Sequence, residues 1–205
     1  MMDELKQASL VYDKIAELYA KEFPEPSDYI DEFLKLIPKN GKILDVGCGV
    51  GIDAGYMLSK GFGVIGIDLS KKMLKIAKQK FPQIDFRLMD IRKINFKPNS
   101  FDGIFASFSL IHIPKKDVPN ILKKFYQILK NNGIVYVSLH EGNSEEIFVD
   151  EPLKPSEKLF LKIFSYEEIR NLLVKSGFTI IKKYQRKPKS EAELNFTKLF
   201  IIAKK

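Results

Sequence analysis

From residue 42 to residue 139 short β-branched runs alternate with amphipathic stretches, and no other property of the 205-residue chain limits its fold as tightly. Lys42-Ile43-Leu44-Asp45-Val46, 63–68, 84–89, 101–107 and 134–139 read as strands. Between them 53–60, 71–81 and 118–130 carry helical spacing, with Ser70 at an N-cap and Asn131-Asn132-Gly133 as a C-cap signal. Such alternation predicts an α/β fold: a doubly wound, seven-stranded, mostly parallel sheet with helices on both faces, its ligands beyond the carboxyl ends of the strands. Ahead of it, Leu5, Ala8, Val11, Ile15 and Tyr19 form a helical stripe, and Ile30, Phe33 and Ile37 continue one after Pro24 and Pro26, so residues 1–40 are expected to form a helical cap. Residues 141–164, with Pro152 and Pro155, are too long for an ordinary connector and read as a substrate lid. Ser165 then caps a helix over 166–175, and strands at 179–185 and 195–203 suggest a hairpin at the sheet edge. The whole chain, 1–205, reads as one domain without repeats.

The first strand runs into Leu44-Asp45-Val46-Gly47-Cys48-Gly49-Val50-Gly51. Glycines at alternate positions let a backbone turn sharply and approach a ligand where a Cβ would collide. The spacing is not the dinucleotide fingerprint G-x-G-x-x-G, since Ile52 stands where its third glycine belongs, and Asp45 would repel a pyrophosphate. An acid beside the loop suits a ligand with positive charge. Asp68 ends the second strand, where a carboxylate can accept both hydroxyls of a ribose, and Asp90 follows the third, within reach of an adenine amino group. Each alone is an ordinary turn or cap residue. Together they fit a cationic ribonucleoside.

Composition narrows the field. Lys+Arg outnumber Asp+Glu 34 to 26, for a net charge of +8, but the lysines are scattered, which reads as solvated surface more readily than as a polyanion-binding face. One cysteine, Cys48, and two histidines, His112 and His140, cannot build a disulfide framework or a Cys/His zinc site. The longest apolar run, 103–113, is far short of the roughly 20 residues of a spanning helix, and MMDELKQASL has no apolar signal core. A reduced cytoplasm is the expected home.

With LDVGCGVG, VIGIDLS, the MDI at Asp90 and FDGIFASFSLIHI in place, the chain resembles the class I S-adenosylmethionine-dependent methyltransferases of the small-molecule type, over residues 10 to 203. The resemblance implies S-adenosylmethionine as cofactor, with Asp45, Gly47, Cys48, Gly49 and Gly51 cradling its methionine part. It places Asp68 on the ribose, Leu69 and Ile91 along the adenine, Asp90 at the adenine amino group and Ser107 near the sulfonium. Tyr12 and Tyr19 match the N-terminal tyrosines that close over the cofactor in many relatives, though packing on the core would account for them equally well. Cys48, a thiol with no base beside it, is a packing residue within the loop.

Methyl transfer from a sulfonium is an in-line displacement, so a protein must mainly align nucleophile and methyl and exclude water. A base is needed only for a hydroxyl or a protonated amine; His112 and His140 are the catalytic candidates, with Glu141 beside the latter. The turn Ala106-Ser107-Phe108-Ser109 lacks the (Asn/Asp)-Pro-Pro-(Tyr/Phe) of nucleic-acid amine methyltransferases, and the chain lacks the second cysteine of cytosine-C5 enzymes, the paired glutamates of arginine methyltransferases and the metal-binding acid of the catechol type. A small-molecule acceptor remains, and Lys154, Lys158 and Lys162 would suit an anionic one. An RNA or protein target and a non-catalytic cofactor-binding protein stand as alternatives; a membrane partner is not expected, and the chain is read as a monomer or homodimer.

Overall fold

The computed structural model describes residues 3–205; Met1 and Met2, in the N-terminal stretch discussed above, lie outside it. The elements run α1 (Glu4–Glu22), α2 (Ile30–Leu34), β1 (Lys42–Val46), α3 (Ile52–Ser59), β2 (Gly63–Asp68), α4 (Lys71–Lys80), β3 (Asp85–Leu88), β4 (Phe101–Ser107), α5 (Val118–Ile128), β5 (Leu129–Glu141), β6 (Glu146–Glu151), β7 (Lys154–Lys162), α6 (Tyr166–Lys175), β8 (Thr179–Arg186) and β9 (Thr197–Lys204). Seven strands make one sheet in the order β3-β2-β1-β4-β5-β9-β8, parallel except that β9 is antiparallel to both of its neighbours. Chain direction reverses its winding between β1 and β4, and the loops after these two strands diverge there to leave a crevice.

Local chemistry sets most boundaries. The Asp3 carboxylate accepts from Lys6 N–H and starts α1, Ser70 Oγ accepts from Met73 N–H and starts α4, and Ser165 Oγ accepts from Glu168 N–H and starts α6. Gly177, at φ +102°, turns the chain out of α6. One expectation needs correction. Asn131-Asn132-Gly133 does not cap α5: the helix ends at Ile128, Leu129 already pairs with Phe101, and 130–133 bulge from β5 before Ile134 pairs with Gly103. Burying Leu129 and Phe101 completely outweighs one more helical turn. The expected hairpin at the sheet edge is present: β8 and β9 pair antiparallel, with β9 inside against β5 because Leu199 to Ala203 is an unbroken buried run, and β8, whose burial alternates, outermost.

The core fills both faces of the sheet. On one, Phe33, Phe105, Tyr136 and Phe200 gather, with Phe105 and Tyr136 stacked at 4.2 Å. On the other, Ile104, Leu122, Phe125, Val135 and Ile201 hold α5 and α6 against the strands. Residues 141–164, expected as a lid without further detail, form the two-stranded hairpin β6–β7 outside the main sheet. An ion pair fixes its base: Lys162, fully buried, donates to Glu168 Oε2 on α6 at 2.8 Å and to the Ile163 carbonyl at 2.8 Å. α1 lies over the hairpin, α4 and the turn Leu110–His112. The cap and the hairpin thereby roof the crevice. No helix of the described residues is long and apolar enough to cross a membrane.

Candidate functional site

The glycine turn leaves β1 with Gly47 and Cys48 N–H both donating to the Ile67 carbonyl of β2, at 2.8 and 3.0 Å. Gly47 (φ +70°) and Gly49 (φ +51°) hold left-handed backbone, and a Cβ on Gly49 would meet nothing within 4 Å: that face of the turn is open to a ligand. Gly51 caps α3 and packs against Phe86 and Ala77. Asp68 anchors the turn from β2, accepting from Gly49 N–H (Oδ2, 2.9 Å) and Ser70 N–H (Oδ1, 2.8 Å), so its carboxylate stands at a fixed orientation with lone pairs to spare.

Two adjoining cavities result. The smaller, of about 110 Å3, is walled by Gly47, Gly49, Asp68, Leu69, Met89, Ile91 and Ser107 from the strand ends and by Tyr12, Tyr19 and His112 from the roof. The larger, of about 410 Å3, shares Tyr12, Tyr19, Gly47, Gly49, Ser107 and Phe108 and extends over Cys48, Asp53, His140, Glu151, Arg186 and Lys198. Asp45 lines neither; it lies behind the turn, 2% exposed, and its Oδ2 has no hydrogen-bond partner. Burial, then the charges of Asp53 and Asp68, push the Asp45 carboxyl well above the ordinary carboxylate range. Burial likewise raises Asp53 and Asp68. Three mutually repelling acids around an open glycine turn form an electrostatic well that a cationic ligand would relieve, so these residues fit S-adenosylmethionine. Asp90 stands apart: Arg92 takes both of its oxygens, at 2.8 to 3.2 Å, and the carboxylate caps the next turn without lining either cavity.

Both histidines are buried and hydrogen-bonded. His112 Nδ1 faces the Phe160 carbonyl of β7 at 3.0 Å; a carbonyl only accepts, so Nδ1 carries the proton and Nε2 accepts from the Tyr12 hydroxyl, also at 3.0 Å. Burial lowers this imidazole to about 4. His140 Nδ1 accepts from Lys198 Nζ at 3.4 Å, and burial, with the charge of Lys198, lowers it as well. Each ring has its one lone pair engaged. Glu141 pairs with Gln185 and lines neither cavity. Lys154, Lys158 and Lys162 face Glu157, Asp150 and Glu168, all away from the cavities. Among the described residues no His, Cys, Asp or Glu cluster of three or more is arranged to hold a metal.

Sequence reading missed the hydroxyl relay beneath the shared wall. Ser27 donates to Asp53 through N–H and Oγ–H, both at 2.7 Å, so its oxygen accepts from Ser107 Oγ at 2.9 Å, which in turn accepts from Ser138 Oγ at 3.1 Å. Ser138 Oγ accepts the Phe108 N–H at 2.9 Å. Phe108 pays for that position with φ +47°, a conformation costing about 1 to 3 kcal/mol in a bulky residue. Glu151, Arg186 and Lys198 also reach the larger cavity, and nothing in the flanking sequence marks them. Arg186 is spent on Asp28 and Glu193, at 2.7 Å each, and Lys189 on Asp28. Lys198 is almost wholly buried, and burial lowers it to about 8.

Residues 43–133 match the family model of a methyltransferase domain. The chain is 28% identical, over 92% of its length, to phosphoethanolamine N-methyltransferase 2 of Caenorhabditis elegans, of which it covers 45%. It is 33% identical over 58% of its length to the ubiquinone biosynthesis O-methyltransferase of Chromobacterium violaceum, of which it covers 51%. The chain thus spans about half the length of these relatives. Its fold is similar, at a TM-score of 0.75 and 17% identity, to a Burkholderia thailandensis 1,6-didemethyltoxoflavin-N1-methyltransferase solved with S-adenosylhomocysteine, over 100% of this chain and 91% of the other.

Proposed function

Because the chain belongs to the class I S-adenosylmethionine-dependent methyltransferases, we propose that it moves the methyl group of that cofactor to a small molecule seated in the larger cavity. The observation that carries this reading is the pair of cavities meeting at Tyr12, Ser107 and Phe108, one walled like a nucleoside site and the other with room for an acceptor. When bound, the cofactor supplies an electrophilic methyl on a sulfonium. Asp68 orients the ribose through its hydroxyls, Leu69, Met89 and Ile91 offer an apolar slot to the base, and the Asp45 carboxylate faces the ligand's positive charge through the glycine turn. Tyr12, tied to His112, and Tyr19 close the roof and exclude water. The relay through Ser27, Ser107 and Ser138 fixes the wall along which nucleophile and methyl must align.

This assignment leaves Gly51 as packing and Asp90 as the anchor of Arg92, with Ile91 and Met89 carrying the adenine contact instead. A concave cavity of about 410 Å3 favours a small acceptor over RNA or protein. The test is a calorimetric titration of S-adenosylmethionine, S-adenosylhomocysteine and NADH into the wild type and Asp68→Ala. The first two should bind saturably, NADH should not, and the variant should weaken binding on the order of tenfold or more through lost charge-assisted hydrogen bonds. Binding of NADH alone, or wild-type affinity in the variant, would overturn it.

A further inference from the structure

Glu151 ends β6, at the tip of the hairpin, yet its side chain turns inward: it is 6% exposed and lines the larger cavity. Its Oε1 accepts from Leu153 N–H at 3.1 Å, and Oε2 has no hydrogen bond to any described residue. With that oxygen uncommitted, the side chain can accept from a ligand held in the cavity. The neighbours show which ligand. Burial above all raises the phenols of Tyr12 and Tyr19; the charge of Asp53 and then that of Glu151 add to it on Tyr19, and that of Glu151 on Tyr12. Glu22, Glu25 and Asp53 line the same cavity. Its cations are each met by an acid: Arg186 by Asp28 and Glu193, Lys189 by Asp28 and Lys198 by Glu193. The larger cavity therefore presents carboxylates in excess of its paired cations, with the rings of Tyr12, Tyr19 and Phe108 among them, the complement of an ammonium group.

We propose that the acceptor is a primary or secondary amine and that Glu151 binds its N–H through Oε2 and takes up its proton. The inference rests on the cofactor reading given above. The bound ammonium first gives one proton to the Glu151 carboxylate, which passes it to water, and so frees the nitrogen lone pair. As the nitrogen–carbon bond then forms to the methyl carbon, the carbon–sulfur bond breaks, its electron pair stays on sulfur, and the positive charge passes to the methylated nitrogen, which leaves as an ammonium. Neither histidine is free for this step, since Tyr12 engages His112 Nε2 and Lys198 engages His140 Nδ1. A carboxylate suits an amine better than an alcohol, whose proton is far too weakly acidic for it to take.

The test uses three two-carbon probes that differ only in the group presented: ethanolamine, ethylene glycol and glycolate, titrated by NMR into protein saturated with S-adenosylhomocysteine. Ethanolamine should bind saturably and about tenfold more tightly than either of the others, and Glu151→Gln should remove that preference while Glu151→Asp keeps part of it. Tighter binding of glycolate, no saturation by ethanolamine, or an equal loss for all three probes in Glu151→Gln would overturn the proposal. Failure of S-adenosylhomocysteine itself to bind would instead sink the cofactor reading.

Discussion

The two halves of the site are held together differently. On the strand-end side the ties are backbone-centred and close in sequence: Gly47 and Cys48 bond to Ile67, and Asp68 to Gly49 and Ser70. On the roof they are single side-chain bonds between distant segments: Tyr12 to His112, His112 to Phe160, Ser27 to Ser107, and Asp28 to Arg186. Fixing a backbone turn by several short-range bonds costs little additional entropy. Roof contacts must each order a side chain across a long loop, and they form only once the sheet exists. The strand-end half is thus a rigid floor, and the roof a set of latches that a ligand can influence.

If the floor is rigid, breaking it should cost most. Gly47→Ala puts a Cβ 2.6 Å from that of Ser109 and a side chain at φ +70°. It should cost about 3 kcal/mol in urea unfolding and abolish S-adenosylhomocysteine binding in calorimetry. A loss below 1 kcal/mol would mean the floor yields as easily as the roof.

Acid should act next, through the roof. His112 is held near 4 in the fold against about 6.5 unfolded, so the unfolded chain binds the extra proton and stability falls as pH drops below about 6.5. Between pH 6.5 and 5 this residue should account for about 2 kcal/mol. Raised Asp45, Asp53 and Asp68 work in the opposite direction, since the folded state holds their protons more tightly. The contribution of His112 is therefore read as the difference between wild type and His112→Gln in urea melts at the two pH values; equal pH slopes would refute it.

The latch between α1 and that histidine should matter less. Tyr12→Phe and His112→Gln should each weaken S-adenosylhomocysteine binding several-fold, and the double variant should be no worse than the poorer single one, a coupling of about 1 kcal/mol. Additive losses would show the two acting separately. At the small end, Lys158→Ala breaks only an exposed pair with Asp150 on the hairpin and should change stability by under about 0.5 kcal/mol, with cofactor affinity untouched.

Periodicity was enough to read strands β1, β2, β4 and the order of helices between them, because each is a local pattern with its own cap or glycine. LDVGCGVG and Asp68 were legible for the same reason: a tight turn at a strand end needs particular residues at particular spacings. Asp90 shows the limit. Its position after β3 suggested an adenine contact, but Arg92, two residues on, competes for the carboxylate, and only side-chain packing decides between them. Hairpin β6–β7 was hidden because its anchor, Lys162 on Glu168, reads in sequence as a solvated lysine and is completely buried in the fold.

The amino-acid sequence by itself determined the doubly wound sheet, the glycine turn and the acids at its rim, since these follow from backbone geometry and near-neighbour hydrogen bonding. Tertiary structure alone decided what surrounds the larger cavity. Ser27 meets Ser107, Tyr12 meets His112, and Glu151 turns into the cavity only because segments separated by up to a hundred residues are brought to one end of the sheet. Such juxtapositions leave no periodic trace, as each depends on the packing of whole elements and not on the residues beside it.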